Sequence, residues 1–378
     1  MSDGTKAGIK VIFGDDEKKG LDVTTSVVCL EIEDHDSIVD EVTVIMDDGF
    51  SLASQHIHVR QPVHVYLGYD AKPTKMFVGT VSTVSGVMDA GVAVRALDPL
   101  AKLQEADGGG KGLQPGSKLS MIVKKVADHH QLKIAAKNGI ECVPDPTFGP
   151  TELPNPLGRN DLQFLLDLAR TWAARCFVEV NDNVPQFYFK SVSSLWAAQP
   201  MGTVRFCKGW GDVSEFRYEK VAAHEARQLV ATAADPKTGV AAEFHGVAPA
   251  TVATAGGNLS PSLAGQGGVS KAHEAASAVP KPPSPNTSPA QRKGLPSEPA
   301  RAAAAVVIDP TLVTGYRATA TVSGDVMLRA KGRIEITGIA PWAEGYWWVC
   351  KAKHVWVRTS EKGQAPNGSY QTQLEVTR

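Results

Sequence analysis

The sequence has no charge bias: 40 acidic residues stand against 39 lysines and arginines, a formal net charge of -1 over 378 residues. A chain so balanced has no global field drawing it to nucleic acid or to an anionic membrane surface. Cysteine is scarce and scattered. Cys29, Cys142, Cys176, Cys207 and Cys350 form no CxxC pair and are odd in number, which argues against a disulfide framework or a zinc ribbon and for a reducing compartment. No apolar run reaches the ~18 residues that a membrane-spanning helix needs, and the first residues lack the charged-then-apolar pattern of a signal peptide. A GxSxG elbow is missing too, and no cysteine stands in a recognisable nucleophile motif.

Several fragments approach a catalytic motif and lack the residue its chemistry requires. His224-Glu225 and His273-Glu274 begin like a zincin helix, but neither has a second histidine four residues after the first, so zinc would lack paired ligands on one helical face. Gly108 to Gly112 lacks the GxxxxGK[ST] spacing that aims backbone N–H groups at phosphate and reads as a flexible loop. His56 and His58 on one strand face, and His129-His130 at a helix end, read as exposed polar histidines. Asp15-Asp16 and Asp47-Asp48 could flank a glycosidic bond, but the second pair with Gly49 reads more simply as a turn. The expectation is a protein with no catalytic residues, no cofactor and no metal ligands.

What the sequence does have is strands. Ile9 to Phe13, Val27 to Ile32, Glu41 to Met46, Val63 to Leu67, Met76 to Val84 and Val92 to Ala96 follow one another between turns, several alternating cleanly, as Val42, Val44 and Met46 do against Thr43 and Ile45. A first β-barrel domain is predicted over 1–100. The period then changes, and 101–200 reads as an α+β unit. It has a helix near 119–129 and a second near 160–173, the latter capped by Asn160 with Gln163 as capping-box partner. A hairpin of Cys176 to Val180 with Gln186 to Phe189 follows. Residues 201–245 form a β connection.

From Gly246 to Ala305 the composition collapses to alanine, glycine, serine and proline, with nine prolines and no aromatic residue. Such a stretch buries too little apolar area to offset its ordering entropy and reads as a linker or extended arm. Strands return over 306–378, at Tyr316 to Val322, Val326 to Thr337, Tyr346 to Arg358 and Tyr370 to Thr377. They are few for an independent barrel and are expected to complete one begun earlier. The fold class is therefore mainly β: two antiparallel barrels, one or both split in sequence, with an inserted α+β unit.

This closing region holds four of the seven tryptophans. Trp342, Tyr346, Trp347, Trp348 and Trp356 are the interface candidates. Core packing of a small β domain and stacking on sugar rings or bases are the other two uses such a cluster could have.

The order of these elements resembles the phage late control D family, the baseplate hub proteins of contractile tails and related injection machines with VgrG-like N-terminal regions. Gln61-Pro-Val-His-Val-Tyr-Leu-Gly68 followed by Lys75-Met-Phe-Val-Gly-Thr-Val81 is similar to the family's paired strands. Asn160 to Trp172 with Cys176-Phe-Val-Glu179 is similar to its most typical helix and following strand. Gly345-Tyr-Trp-Trp-Val349, His354 and Tyr370-Gln-Thr-Gln-Leu374 are similar to its ending. The likeness covers about residues 9 to 220 and 310 to 378. Gln61 departs from it, standing where a turn glycine is usual, and Gly246 to Ala305 is an insertion that the family does not fix.

The resemblance implies a homotrimer whose two tube-protein-like barrels per subunit make a pseudo-sixfold ring, a virion structural protein acting as spike adaptor. Implied partners are the inner tube or tube-initiator ring and the central spike, with baseplate wedge and tape-measure proteins as further contacts. It implies neither nucleic-acid recognition nor a membrane span. Assembly is expected in the cytoplasm, ending in a tail baseplate or injection particle. A tail-associated peptidoglycan hydrolase and a glycan-binding tail protein are the alternatives, resting on the acidic turns and on the tryptophans.

Overall fold

The computed structural model of the chain describes residues 7–47, 54–69, 73–87, 91–105, 108–143, 145–150, 153–156, 158–206, 212–220, 230–234, 241–245, 316–341, 343–360 and 367–378. Gly246 to Ala305, Trp342, Cys207, Asp48 and the two zincin-like fragments lie outside them. No helix among the described residues is long and apolar enough to cross a membrane.

Strands β1 (Ala7–Phe13), β2 (Leu21–Asp22), β3 (Val27–His35), β4 (Glu41–Met46), β5 (Pro62–Gly68), β6 (Thr74–Val87) and β7 (Gly91–Leu97) form antiparallel pairs in the spatial order β3-β4-β7-β6-β5-β1, with β2 beside β1. Period-two alternation drives the curl. Val42, Val44 and Met46 of β4 are buried, as are Val63, Val65 and Leu67 of β5, while the residues between them face outward. Gly79 of β6 is required by close approach: a Cβ there would run into the Leu97 carbonyl oxygen and the Phe77 ring. At the turn before β5 the left-handed residue is Arg60, at φ 72°, rather than Gln61, whose side-chain oxygen accepts the His58 N–H at 2.9 Å. His56 and His58 are exposed around a short 3-10 turn, Ser54–His56, and not on a strand face.

Asp98 caps a 3-10 turn, Pro99–Gln104, which leads into the α+β unit. Helix α1 (Leu119–His129) buries Leu119, Ile122, Val123 and Val126, the stripe its sequence spacing predicts. Strand β8 (Ile140–Glu141) precedes α2 (Asp161–Thr171), whose cap Asn160 accepts the Gln163 N–H at 2.8 Å. Strands β9 (Ala174–Asn181) and β10 (Val184–Ser191) form a hairpin, with β8 parallel to β10, and α3 (Val192–Ala197) follows. Both long helices pack on this sheet over a core that includes Phe164, Leu165, Phe187 and Phe189.

The remaining strands are β11 (Thr203–Arg205), β12 (Val213–Lys220), the hairpin β13 (Val230–Ala234) and β14 (Ala241–His245), β15 (Tyr316–Ser323), β16 (Gly332–Thr337), β17 (Gly345–Arg358) and β18 (Asn367–Thr377). A second sheet runs β11-β16-β17-β18-β15-β12 around its own core, and Asp212 N–H donates to the Arg205 carbonyl at 2.9 Å where its two ends meet. The long strands β17 and β18 serve both sheets. Their far halves pair with β3 and β1, and with each other, which closes the first sheet into a ring of eight strands. Eight strands enclose an interior that side chains fill. The expected strand Val326 to Thr337 begins only at Gly332. Lys331 before it has a positive φ of 67°, a left-handed backbone that ends extended structure.

Candidate functional site

The tryptophan-bearing strand β17 is where the two barrels join, and its two faces explain the aromatic cluster. Trp347 points into the second barrel, edge-on to Phe216 at 5.8 Å between ring centroids, with its indole N–H donating to the Ala343 carbonyl at 2.8 Å. Trp348, one residue on, points to the opposite face. It stacks on Trp196 of α3 at 5.9 Å and donates to Asp36 at 3.0 Å. A β-bulge between Val349 and Lys351 then shifts the register by one residue. Ala352, His354 and Trp356 consequently face inward on even positions, where Trp347 and Val349 had used odd ones. Trp356 fills the first barrel and donates to the Ala7 carbonyl at 2.9 Å, with Gly368 of the neighbouring strand leaving room for its ring.

Of the interface candidates, Trp347, Trp348 and Trp356 are thus fully buried within the chain, Tyr346 is half-buried beneath the Arg333 guanidinium, and Trp342 lies outside the described residues. The three buried indoles offer no face to a sugar ring.

Around Trp348 the three units meet in a buried charge cluster that the sequence reading missed. Asp34 comes from the end of β3, Asp40 from the start of β4 and Asp98 from the end of β7. Glu179 comes from β9, and Arg329 and Lys331 from the turn before β16. The Lys331 ammonium pairs with Asp34, lies 2.8 Å from Asp40 and 3.3 Å from Glu179, and stands over the Phe177 ring at 5.3 Å. Arg329 reaches Glu179 at 2.8 Å and the Met76 carbonyl at 3.1 Å. The Ala330 N–H donates to Asp34 at 3.0 Å and the His35 N–H to Asp40 at 2.8 Å. Asp36 beside them takes Arg175 of β9 at 3.2 Å.

Four carboxyls therefore face two cations. Burial opposes ionisation of Asp34, yet Lys331, Arg329 and the Ala330 N–H hold it at about 2. Burial, joined by the carboxylates of Asp34, Asp98 and Glu179, pushes Asp40 well above the usual range against the pull of Lys331. Burial also lifts Asp98 to about 7 despite Lys331 and the N–H groups of Leu100 and Asp40. A cavity of about 20 Å³, room for one water molecule, opens here between Asp34, Asp40, Asp98, Phe77 and Arg329.

A second buried polar group joins β17 to β18. His354 and the Tyr370 hydroxyl are 2.7 Å apart, Thr372 approaches the same ring nitrogen at 3.3 Å, and the Asp325 N–H donates to the Thr372 hydroxyl at 3.1 Å. Burial, with Arg329 nearby, lowers His354 to about 3, so it is neutral at pH 7. Between that value and the ~6.5 of an unfolded histidine, the unfolded chain binds a proton that the folded chain refuses, so stability falls as pH drops. From pH 6.5 to 5 this residue should cost the wild type about 2 kcal/mol, and His354→Gln should lose that much less. Urea denaturation of both proteins at pH 7.5 and 5 tests it, and equal acid losses would count against the assignment. Asp98, raised rather than lowered, acts in the opposite sense over this range, so the comparison between proteins isolates His354.

The glycine run is not a free loop. Gly109 and Gly110 donate N–H bonds to Asp161, the first residue of α2, at 2.8 and 3.3 Å. His130 lies 2.7 Å from the same carboxylate and is nearly buried, which corrects the reading of both adjacent histidines as exposed. Burial opposes ionisation of Asp161, but His130 and the glycine N–H groups hold it below the usual range. Asp15 and Asp16 are exposed in the turn after β1, and Asp47 is exposed at the end of β4.

No protein-family model and no curated protein sequence matches the chain. Solved structures do. The tail protein from Neisseria meningitidis MC58 is 11% identical with a TM-score of 0.61, over 99% of this chain and 97% of that one. The prophage MuSo2 43 kDa tail protein from Shewanella oneidensis is 11% identical with a TM-score of 0.58, over 98% and 97%. The E. coli c3393 protein, described as a type VI secretion system component with structural similarity to T4 bacteriophage tail proteins gp27 and gp5, is 11% identical with a TM-score of 0.53, over 93% and 73%. The chain has the fold of these tail and secretion-system proteins: mainly β, with a smaller α+β part.

Proposed function

We propose that the chain is a tail structural protein, the baseplate hub of a contractile phage tail or phage-tail-like injection particle. The observation that carries the reading is the end-to-end likeness to two tail proteins, covering at least 97% of each chain compared. In this reading three copies form a ring of six barrels that seats the sixfold inner tube on one side and the threefold spike on the other. The physical support is the pair of shared strands. Because β17 and β18 run through both sheets, and the charge cluster ties both to the α+β unit, the two barrels of one subunit hold a fixed spacing, which ring closure demands. The proposed role involves binding and no turnover, and the partners are the tube, the spike and neighbouring baseplate proteins.

Light scattering of the purified chain at assembly concentrations should give three times the monomer mass. A stable monomer there would sink the trimeric hub. A peptidoglycan turbidity assay on the same sample should show no lysis, and lysis would return the hydrolase reading.

A further inference from the structure

We propose that His129, His130 and Asp161 form a binding site for a divalent transition-metal ion, of which Zn²⁺ is the natural probe. Each offers one ligand atom, and these atoms all lie within 4.8 Å of one another. Two imidazoles and one carboxylate are a donor set suited to zinc and its borderline neighbours, and three protein ligands leave a position open.

The site is held by the three consecutive glycines that the phosphate motif failed to explain. The N–H groups of Gly109 and Gly110 orient the Asp161 carboxylate, as outer hydrogen bonds do for metal-ligating carboxylates. Asp161 Oδ2 carries the Gly109 bond and the His130 contact, while Oδ1 takes the longer Gly110 bond, at 3.3 Å, so lone pairs remain for an ion. Gly108 makes room for the third donor: a Cβ at this position would stand 3.2 Å from His129 Nε2. The two imidazoles meet edge to face, 5.0 Å apart at 88°. His130 and Asp161 are nearly buried, whereas His129 is exposed and gives an ion its route in.

A lone His130 to Asp161 hydrogen bond would need neither His129 nor the bare backbone of Gly108. An ion entering would displace the proton between the 2.7 Å pair and part those two atoms to roughly 3.4 Å, the separation that ~2.1 Å metal bonds at tetrahedral angles impose. Among the described residues the other cluster of this kind, Asp34, Asp40 and Glu179, already holds a cation, because the Lys331 ammonium touches all three carboxylates.

The test uses the full chain, free of any histidine tag and stripped with chelator, titrated with Co²⁺ by visible absorption and with Zn²⁺ by calorimetry. One ion per chain, the intense spectrum of low-coordinate cobalt and at least a ~10-fold loss of affinity in His129→Ala are the expected results. Because His129 is exposed, that variant should keep its fold, checked by circular dichroism. The double variant His56→Ala with His58→Ala should bind as the wild type does. Absence of stoichiometric binding, unchanged affinity in His129→Ala, or binding lost only in the His56 and His58 variant would overturn the site.

Discussion

Replacing Lys331 by methionine should lower the unfolding free energy by about 3–5 kcal/mol at neutral pH, because removing one partner of a buried ion cluster leaves the others uncompensated. The ammonium is buried and touches Asp34, Asp40 and Glu179 together. Arg329 is the other cation of the cluster and already serves Glu179 and the Met76 carbonyl. Methionine fills similar volume, so the change reports charge and not a cavity. Lys331 also holds a left-handed backbone at φ 67°, which a side chain adopts only when its surroundings hold it there.

The deficit should shrink on acidification. In the wild type Asp34 sits at about 2, so its contribution is present above the ordinary value of ~3.9 and is lost as pH falls towards 2. Without Lys331 the sign reverses. Burial then dominates, the folded-state value of Asp34 rises above its unfolded one and that of Asp40, already raised, climbs further, so protonation of the folded chain relieves the strain as pH drops. Asp40→Asn placed in the Lys331→Met background should recover part of the loss, since it removes a charge that the variant cannot neutralise. Urea denaturation of the wild type and the two variants at pH 7.5 and 5 is the measurement. A neutral-pH loss under about 1 kcal/mol, or a deficit that grows at pH 5, would mean that the cluster does not hold the three units together.

The strands of the first barrel and both long helices were legible in the sequence because each buries one face at a fixed period, as Val42, Val44 and Met46 do in β4 or Ile122, Val123 and Val126 in α1. The charge cluster was not, because its members are scattered through the sequence from Asp34 to Lys331 and no spacing relates them. One signal was available. Leu30, Ile32 and Asp34 share the inward parity of β3, so an acid stands where the alternation calls for an apolar residue, and such an acid needs a buried partner. The segments of resemblance converge on this region: Phe77 lines the cavity, Phe177 and Glu179 meet Lys331, and His354, Tyr370 and Thr372 pair across β17 and β18. The bulge at Cys350 was equally invisible. A one-residue register shift leaves no mark in composition, yet it decides which tryptophans point where.

That parity makes Trp348 the sharpest discriminator between packing and interface. Trp348→Ala should cost about 3–5 kcal/mol of unfolding free energy, the loss typical of a large buried aromatic side chain. It would remove the stack on Trp196, the bond to Asp36 and the contact with the Arg175 guanidinium 6.0 Å from its ring, all of which join β17 to other parts of the same chain. Trp348→Phe should cost less, keeping a ring against Trp196 while giving up the indole donor. Tyr346→Ala, half-buried on the same strand, should cost less, about 1–2 kcal/mol, since its ring stacks on the buried Arg333 guanidinium but fills no core. Urea denaturation followed by tryptophan fluorescence, run beside light scattering, separates the two roles. Packing predicts lost stability in every oligomeric state. An intact unfolding free energy in Trp348→Ala, with only the mass of the assembly reduced, would place this indole between subunits and overturn its assignment to the junction of the two barrels.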